Sequence, residues 1–388
     1  MLRILAIENY RSLRHLVLPL GALTVITGAN GSGKSSVYRS LRLLAEASRN
    51  GASAALAREG GLPSTLWAGP ETISRSMKSG EHEVQGTRRS GPVGLRLGFS
   101  GDDFGYAIDL GLPQSGGPTL FGLDPEIKAE AVFSGPVLRP STLLTERRGP
   151  SVRIRGVDGE WSHHDHRLRP YDSMLSEFAD PRAAPELLAL REQIRTWRFY
   201  DHFRTDASAP ARRPQLGTRT PVLSHDGADL AAALQTVREL GVRSELDAAI
   251  DAAFPGSRLA VEEREGYFSL SLEQPGLLRA LGAAELSDGT LRYLLWVAAL
   301  LSPRPAELLV LNEPETSLHP ELVEPLAGLI AGASARSQVI VVSHSARLID
   351  ALDGAAEVAR IELVKQLGET TMDGQGMLDE PPWTWPKR

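Results

Sequence analysis

The segment GANGSGKS, residues 28–35, places glycines, a lysine and a serine at the spacing G-x-x-x-x-G-K-S. Glycine lets the backbone curl, so that successive N–H groups can point at phosphate oxygens. The segment follows an apolar, β-branched run and opens a predicted helix, whose first turn carries a positive dipole end. The spacing therefore predicts a nucleotide phosphate site in which Lys34 reaches the β- and γ-phosphates and the Ser35 hydroxyl ligates Mg²⁺.

A second motif, LLVLNEPETSLHP, contains an apolar run that ends in Asn312 and Glu313. In phosphate-loop ATPases such a strand lies beside the strand that carries the loop, and its last residues hold Mg²⁺ and activate water. Glu313 is therefore the candidate general base, and Asn312 stands at the metal position. The alternative is an ordinary strand end followed by a turn at Pro314.

The segment SQVIVVSHS predicts a third buried strand, with His344 at its exit. A histidine after a core strand is often only structural. Here it follows Glu313 by one predicted helix and one predicted strand, which places it beside the same phosphate. We therefore predict a catalytic role for His344 together with Glu313 and Lys34.

The segment LSDGT, residues 286–290, has the composition of a helix cap. A helix amino terminus is a ready anion site. Because the three motifs already surround one γ-phosphate, a spare anion site would suit the ATP of a second molecule. The alternative is a cap that serves only its own helix.

In this order, GANGSGKS, LSDGT, LNEPE and SHS resemble the ABC-type ATPase heads of the RecF, SMC and OLD-like family. The segment ENYRSL and Asn30 add to the resemblance, which covers about residues 1–50 and 220–365. It implies that two heads sandwich two ATP molecules, that Ser287 and Gly289 bind the partner's γ-phosphate, and that Arg11 lies near the nucleotide. No nuclease domain of the OLD type is evident. The predicted nucleotide-binding residues are Gly28, Asn30, Gly31, Gly33, Lys34, Ser35, Ser36, Arg11, Ser287 and Gly289, and the predicted metal-binding residues are Ser35 and Asn312.

The chain departs from the family pattern at three places. Asn312 stands where an aspartate normally supports Mg²⁺, Asp288 stands where many heads have glycine, and PETSLHP replaces the usual Ser-Ala-Leu-Asp. These changes weaken the case for fast hydrolysis more than the case for ATP binding. The glutamine that the family places at the start of the inserted lobe has only the candidates Gln85 and Gln114.

Composition limits the remaining classes of protein. The 388 residues are 42% apolar and 23% charged, with a formal net charge of −6 and no cysteine. The absence of cysteine excludes disulfides, thiolate zinc sites and cysteine nucleophiles. The apolar runs are far shorter than the ~20 residues of a membrane span, and no signal peptide is visible, so we expect a cytoplasmic protein without a membrane partner.

The predicted fold is α/β, a phosphate-loop ABC-type ATPase head with an inserted, largely antiparallel β plus helical lobe. We expect the first part of the head at residues 1–50, the lobe at 51–215, and the second part of the head, with a closing hairpin, at 216–388. Residues 185–203 are predicted to be helical, and WSHHDHR is predicted to be a solvated loop rather than a metal site. Trp383 and Trp385 could bind a partner, but we expect them to dock on their own domain. The aromatic segment FYDHFRTD could contact nucleic acid, but packing is favoured.

The predicted function is ATP hydrolysis, with ATP and Mg²⁺ bound and an ATP-dependent homodimer formed. Two biological roles are compatible with this predicted function. One is a link to DNA repair, recombination or phage defence. The other is a slow nucleotide-gated switch that controls a separate effector protein without binding DNA.

Overall fold

The computed structural model describes residues 1–71, 76–77, 81, 94–113, 120–156, 158–164, 167–178, 180–376 and 379–388. The chain divides into two compact units, which are considered separately. The first comprises Met1–Gly21, Ile26–Trp197 and Arg360–Arg388, and the second comprises Ala22–Val25 and Arg198–Ala359. The predicted bounds at residues 50 and 215 stay a prediction. No helix of the described residues is long and apolar enough to cross a membrane.

The strands of the described residues follow in chain order. They are β1 (Leu2–Tyr10), β2 (Leu13–Pro19), β3 (Leu23–Gly28), β4 (Gly94–Gly101), β5 (Phe104–Gly111), β6 (Glu126–Ser134), β7 (Leu143–Arg148), β8 (Ser151–Arg155), β9 (Trp161–His164), β10 (Arg198–Tyr200), β11 (Gln215–Leu216), β12 (Arg258–Arg264), β13 (Tyr267–Glu273), β14 (Leu281–Gly282), β15 (Leu308–Asn312), β16 (Gln338–Val342), β17 (Ala359–Gln366) and β18 (Glu369–Met372).

The helices of the described residues are fewer. They are α1 (Lys34–Asn50), α2 (Ala52–Arg58), α3 (Leu62–Thr65), α4 (Met174–Glu177), α5 (Pro185–Thr196), α6 (Leu230–Leu240), α7 (Arg243–Ala253), α8 (Asp288–Leu300), α9 (Val323–Ser334) and α10 (Ala346–Ala355). Short 3₁₀ turns occur at Pro210–Arg212 and Pro320–Leu322.

The first unit contains an antiparallel sheet of eight strands in the order β2-β1-β4-β5-β6-β7-β8-β9. Strand β1 pairs with β2 on one side and with β4 on the other, and Ile7 has Leu16 and Leu97 as its partners. The strands that the sequence assigns to the inserted lobe therefore continue the sheet of the N-terminal hairpin. The antiparallel character of this region is confirmed.

The C-terminal segment packs within the first unit. Trp383 contacts Phe133 edge-on, with ring centroids 6.1 Å apart, and Trp385 contacts Trp383 at 5.3 Å. The guanidinium of Arg388 lies 2.7 Å from a carboxylate oxygen of the fully buried Asp109. The two tryptophans also pack against buried side chains of β1 and β2, so the prediction that they dock on their own domain is confirmed.

Parallel strands form the centre of the second unit. Strands β10 and β15 pair in parallel, as do β15 and β16, and the backbone N–H of Val339 donates to the carbonyl of Ala22 at 2.8 Å. Helices α9 and α10 follow β15 and β16, which confirms the predicted alternation of strand and helix. Helix α8 lies in the core, with Tyr293 and Trp296 almost fully buried.

The prediction of helix over residues 185–203 is wrong in its second part. Helix α5 ends at Thr196, and Arg198–Tyr200 form β10. The aromatic residues after the helix suit a buried strand. Tyr200 and Phe203 are buried and lie 6.3 and 4.9 Å from the ring of Trp296, so the packing interpretation of this segment is confirmed.

The prediction of a loop over WSHHDHR is also wrong where the structure describes it. Trp161–His164 form β9, which pairs with β8, and His163 lies opposite Arg153. The guanidinium of Arg153 lies 4.6 Å from the centre of the Trp161 ring, a contact that favours this pairing. Asp165 and His166 lie outside the described residues.

Candidate nucleotide site

The phosphate loop belongs to the first unit and joins the end of β3 to the start of α1. Gly28, Gly31 and Gly33 have φ values of 140°, 77° and 109°, which favour glycine. A Cβ atom at Gly28 would lie 2.2 Å from the carbonyl oxygen of Leu363, and one at Gly33 would lie 2.4 Å from Oγ1 of Thr370. At Gly28 and Gly33, the lack of space for a Cβ atom and the positive φ value therefore each require glycine.

Lys34 and Ser35 begin α1 directly after this loop. The Lys34 ammonium donates to the carbonyl oxygens of Gly28 and Ala29 at 2.6 and 3.0 Å, which curls the lysine back over the loop. Ser35 is exposed, and the N-cap residue of α1 is Gly33, which has no side chain to cap the first turn. The predicted residues Gly28, Asn30, Gly31, Gly33, Lys34, Ser35 and Ser36 thus lie together in a loop with a helix amino terminus that can accept an anion.

Thr370 in β18 holds this loop, a role that no sequence motif predicts. Its hydroxyl oxygen lies 2.7 Å from the carbonyl oxygen of Ser32 and 2.9 Å from Oγ of Ser12. Its backbone N–H donates to the carbonyl oxygen of Ser12 at 2.9 Å. Thr370 therefore connects the phosphate loop to the turn between β1 and β2.

We expect Thr370→Val to destabilise the protein and to weaken ATP binding. Valine keeps the shape but leaves the Ser32 carbonyl without its hydrogen bond, which costs about 1–3 kcal/mol when the group is buried. The measurements are thermal unfolding and nucleotide affinity by calorimetry. Thr371→Val is the matched control, because Thr371 is the next residue of β18 and is not fully buried. Equal nucleotide affinities for the two variants would contradict the role of Thr370.

Arg11 lies in the turn between β1 and β2, with a left-handed φ of 52°. Its guanidinium pairs with the carboxylate of Glu59, which also accepts from the Tyr10 hydroxyl at 3.2 Å. Burial, and then the Glu59 charge, raise the pKa of Tyr10 to about 12, so this hydroxyl remains a donor at neutral pH. The role of Arg11 near a nucleotide stays a prediction. The candidate glutamines, Gln85 and Gln114, lie outside the described residues.

In the second unit, Glu313 and His344 come together after two neighbouring parallel strands. Oε1 of Glu313 lies 3.4 Å from Nδ1 of His344, and the two side chains are 38% and 51% exposed. The Glu313 N–H donates to the carbonyl oxygen of Val342 at 2.8 Å, although Glu313 has a left-handed φ of 48°. Such strained backbone occurs most often where a side chain must be held for function. The predicted pairing of these strand ends is therefore present.

Asn312 has a partner that no sequence motif predicts. Its Nδ2 donates to Oδ1 of Asp201 at 2.7 Å, and Asp201 directly follows β10. The side-chain oxygen of Asn312 is buried and has no hydrogen-bond partner among the described residues. A buried acceptor without a donor is unfavourable, so this oxygen suits a further polar ligand such as metal-bound water.

The residues fit Mg²⁺ of the kind that arrives with a nucleotide. Within the described ranges, no group of three or more histidine or acidic side chains is arranged to hold a metal alone. Mg²⁺ in nucleotide sites keeps several waters and takes its other ligands from phosphates and from one or two protein oxygens. In the first unit, the exposed Ser35 hydroxyl is an oxygen of this kind. In the second unit, the side-chain oxygen of Asn312, which has no hydrogen-bond partner among the described residues, is another.

The LSDGT segment forms the start of α8 in the second unit. The Ser287 hydroxyl accepts from the N–H of Thr290 at 3.1 Å, so it caps its own helix as predicted. The guanidinium of Arg212, 8% exposed, lies 2.6 Å from the carboxylate of Asp288 and donates to the carbonyl oxygen of Leu286 at 2.7 Å. Arg212 thereby compensates the negative charge that Asp288 brings to this segment. Action of Ser287 and Gly289 on a second molecule stays a prediction.

Comparison with known proteins identifies a family for most of the chain. Residues 23–350 match the protein family described as "AAA domain, putative AbiEii toxin, Type IV TA system". No curated protein matches the chain.

Solved structures of SMC heads are similar to the chain over nearly its whole length. An SMC head bound to the C-winged helix domain of ScpA is 13% identical, with a TM-score of 0.50 over 97% of this chain and 98% of that chain. An Smc head with an extended coiled coil, from Pyrococcus furiosus and bound to the C-terminal domain of ScpA, is 13% identical, with a TM-score of 0.47 over 96% and 95% of the two chains. The SMC head domain from Thermotoga maritima is 14% identical, with a TM-score of 0.42 over 96% and 97%.

The first of these likenesses shows the fold, and the family match covers most of the sequence. The predicted resemblance to an ABC-type ATPase head is confirmed. The chain belongs to the family of the AAA domain described as putative AbiEii toxin, Type IV TA system, and has the fold of an SMC-like ATPase head.

Proposed function

We propose that this chain binds ATP with Mg²⁺, hydrolyses it, and forms a dimer that holds ATP between two copies. The observation that carries the proposal is the pair formed by Glu313 and His344 at the ends of adjacent parallel strands. A phosphate loop alone is common to many nucleotide-binding proteins. A carboxylate and an imidazole after the neighbouring strands add the means to activate water.

In the proposed reaction, Glu313 accepts a proton from the attacking water. The water oxygen forms a bond to the γ-phosphorus while the bond from that phosphorus to the ADP oxygen breaks. His344 orients the Glu313 carboxylate through the contact between Nδ1 and Oε1. Lys34 and the N–H groups of the loop would hold the phosphate oxygens. Ser35 and Asn312 would hold the metal, which would supply charge stabilisation.

The wider role of such a head is proposed in two forms. The first is a link to DNA repair, recombination or phage defence, which rests on the resemblance to RecF, SMC and OLD-like heads. The second is a slow nucleotide-gated switch for an effector protein, and the neutral amide of Asn312 at the metal position favours it. DNA binding measured with and without ATP, at two salt concentrations, separates the two roles.

The dimer is tested by mixing two inactive variants. Ser287→Arg should block the dimer while leaving ATP binding intact, because Ser287 is exposed and is proposed to act on the ATP of the partner. Lys34→Ala should lose ATP binding. A mixed dimer of the two retains one site with an intact phosphate loop and an intact LSDGT segment on different copies, so we expect partial recovery of ATP hydrolysis.

Ser244→Arg is the control for the introduced arginine, because Ser244 is an exposed serine in the first turn of α7. This variant should hydrolyse ATP at the normal rate. If the mixture shows no more activity than its components, the shared site is refuted. Loss of ATP binding by Ser287→Arg alone would also count against it.

A further inference from the structure

Asp201 stands beside Asn312 because of the strand pairing. Strands β10 and β15 are parallel, with Tyr200 opposite Leu311, so the next residue of each chain segment is Asp201 and Asn312. The hydrogen bond of 2.7 Å from Nδ2 of Asn312 to Oδ1 of Asp201 fixes the carboxylate at this strand end. The same bond fixes which way the amide faces, because only its nitrogen can donate.

Within the part of the chain that the structure describes, no neighbouring cation compensates the charge of Asp201. Among the described residues, Asn312 is its hydrogen-bond partner, and no arginine, lysine or histidine forms an ion pair with it. Other acidic residues of the second unit are paired, for example Asp288 with Arg212 and Asp206 with Arg204. The carboxylate is also exposed, so it can meet a ligand that approaches from solvent.

We propose that Asp201 supplies the negative charge for the Mg²⁺ of bound ATP at this strand end, with Asn312 as the residue that orients it. This inference rests on the proposed function. It explains how a negative charge is present at this strand end although Asn312 carries none: the residue that follows the neighbouring strand β10 provides the carboxylate. If Asp201 had only a structural role, its hydrogen bond with Asn312 would matter and its negative charge would not.

The charge and the hydrogen bond can be separated by substitution. Asp201→Asn has the same shape and still offers an oxygen to the Asn312 amide, but it carries no charge. The reciprocal double variant, Asp201→Asn with Asn312→Asp, restores one carboxylate and one amide in exchanged positions. Asp206→Asn is the matched control, because Asp206 is an exposed aspartate of the same segment.

The first readout, measured by calorimetry, is the ratio of the ATP affinity in saturating Mg²⁺ to the ATP affinity in EDTA. The second readout is the binding of Mn²⁺ to the complex of the protein with ATP, measured by electron paramagnetic resonance. We expect Asp201→Asn to lower this ratio about 10- to 100-fold, as changes around a metal site typically do, and to leave the affinity in EDTA unchanged. The double variant should have a ratio close to that of the original protein, and Asp206→Asn should have the same ratio as the original protein. Thermal unfolding in EDTA verifies that each variant is folded.

A normal ratio for Asp201→Asn would overturn the inference, as would a wild-type protein that binds ATP equally well with and without Mg²⁺. Both outcomes leave ATP binding itself in place. A wild-type protein that binds no ATP under either condition would instead overturn the proposed function, and the inference with it. If the double variant is folded but its affinity ratio stays as low as that of Asp201→Asn, the carboxylate and the amide cannot exchange positions, and the inference is overturned.

Discussion

ATP binding is expected to be lost when Lys34 is replaced by Ala or Met. Lys34 is the first residue of α1, directly after the phosphate loop. Its ammonium group donates hydrogen bonds to the carbonyl oxygens of Gly28 and Ala29. Turned toward phosphates, it would form hydrogen bonds to charged oxygens, each worth about 1.5–3 kcal/mol. The loss of two such bonds corresponds to a fall in affinity of about 10²- to 10⁴-fold, which calorimetry can measure.

Two comparisons isolate the charge in this experiment. Met removes the ammonium but keeps an unbranched stem, so a loss seen with both Ala and Met cannot come from the cavity alone. Lys365→Ala is the matched control, because Lys365 is an exposed lysine in β17 of the same unit. Unchanged ATP affinity in a folded Lys34→Met protein would refute the assignment of the phosphate loop.

Local patterns predicted most of the fold. The apolar run before GANGSGKS and the helix after it are encoded by neighbouring residues, and they appear as β3 and α1. Charged strands were harder to identify. The polarity pattern of LLTERR does not predict strand β7, because its charged residues Glu146 and Arg147 are buried. Arg147 forms an ion pair of 3.0 Å with the buried Glu130. A pattern based on polarity has no signal for such a strand.

The supporting residues of the site could not be predicted, because their partners are distant in sequence. Thr370 contacts Ser32 across 338 positions, and Asn312 contacts Asp201 across 111 positions. Neither pair belongs to a recognisable motif, and each exists only through the pairing of strands. Arg212 is a similar case, since it compensates Asp288 from 76 positions away. Motifs predicted the residues that we propose carry the chemistry, whereas the residues that hold them in place are apparent only from the fold.

Glu313→Gln should retain ATP and lose turnover. Glutamine has nearly the same shape, but its amide cannot take a proton from water. General base catalysis typically contributes 10²- to 10⁴-fold, so hydrolysis should fall by about that factor. ATP affinity should stay within a few-fold of the original, because the phosphate loop is unchanged. Dimers should then accumulate with ATP and Mg²⁺, which light scattering can detect.

The backbone of Glu313 makes this substitution informative. Its left-handed φ of 48° is held by the hydrogen bond to the Val342 carbonyl, which does not depend on the side chain, so Gln should adopt the same conformation. Glu321→Gln is the control, because Glu321 is 86% exposed in the segment that follows β15. Turnover within a few-fold of the original in Glu313→Gln would show that another group activates water. A monomer under saturating ATP and Mg²⁺ would instead refute the ATP-sandwiched dimer and leave the assignment of the base intact.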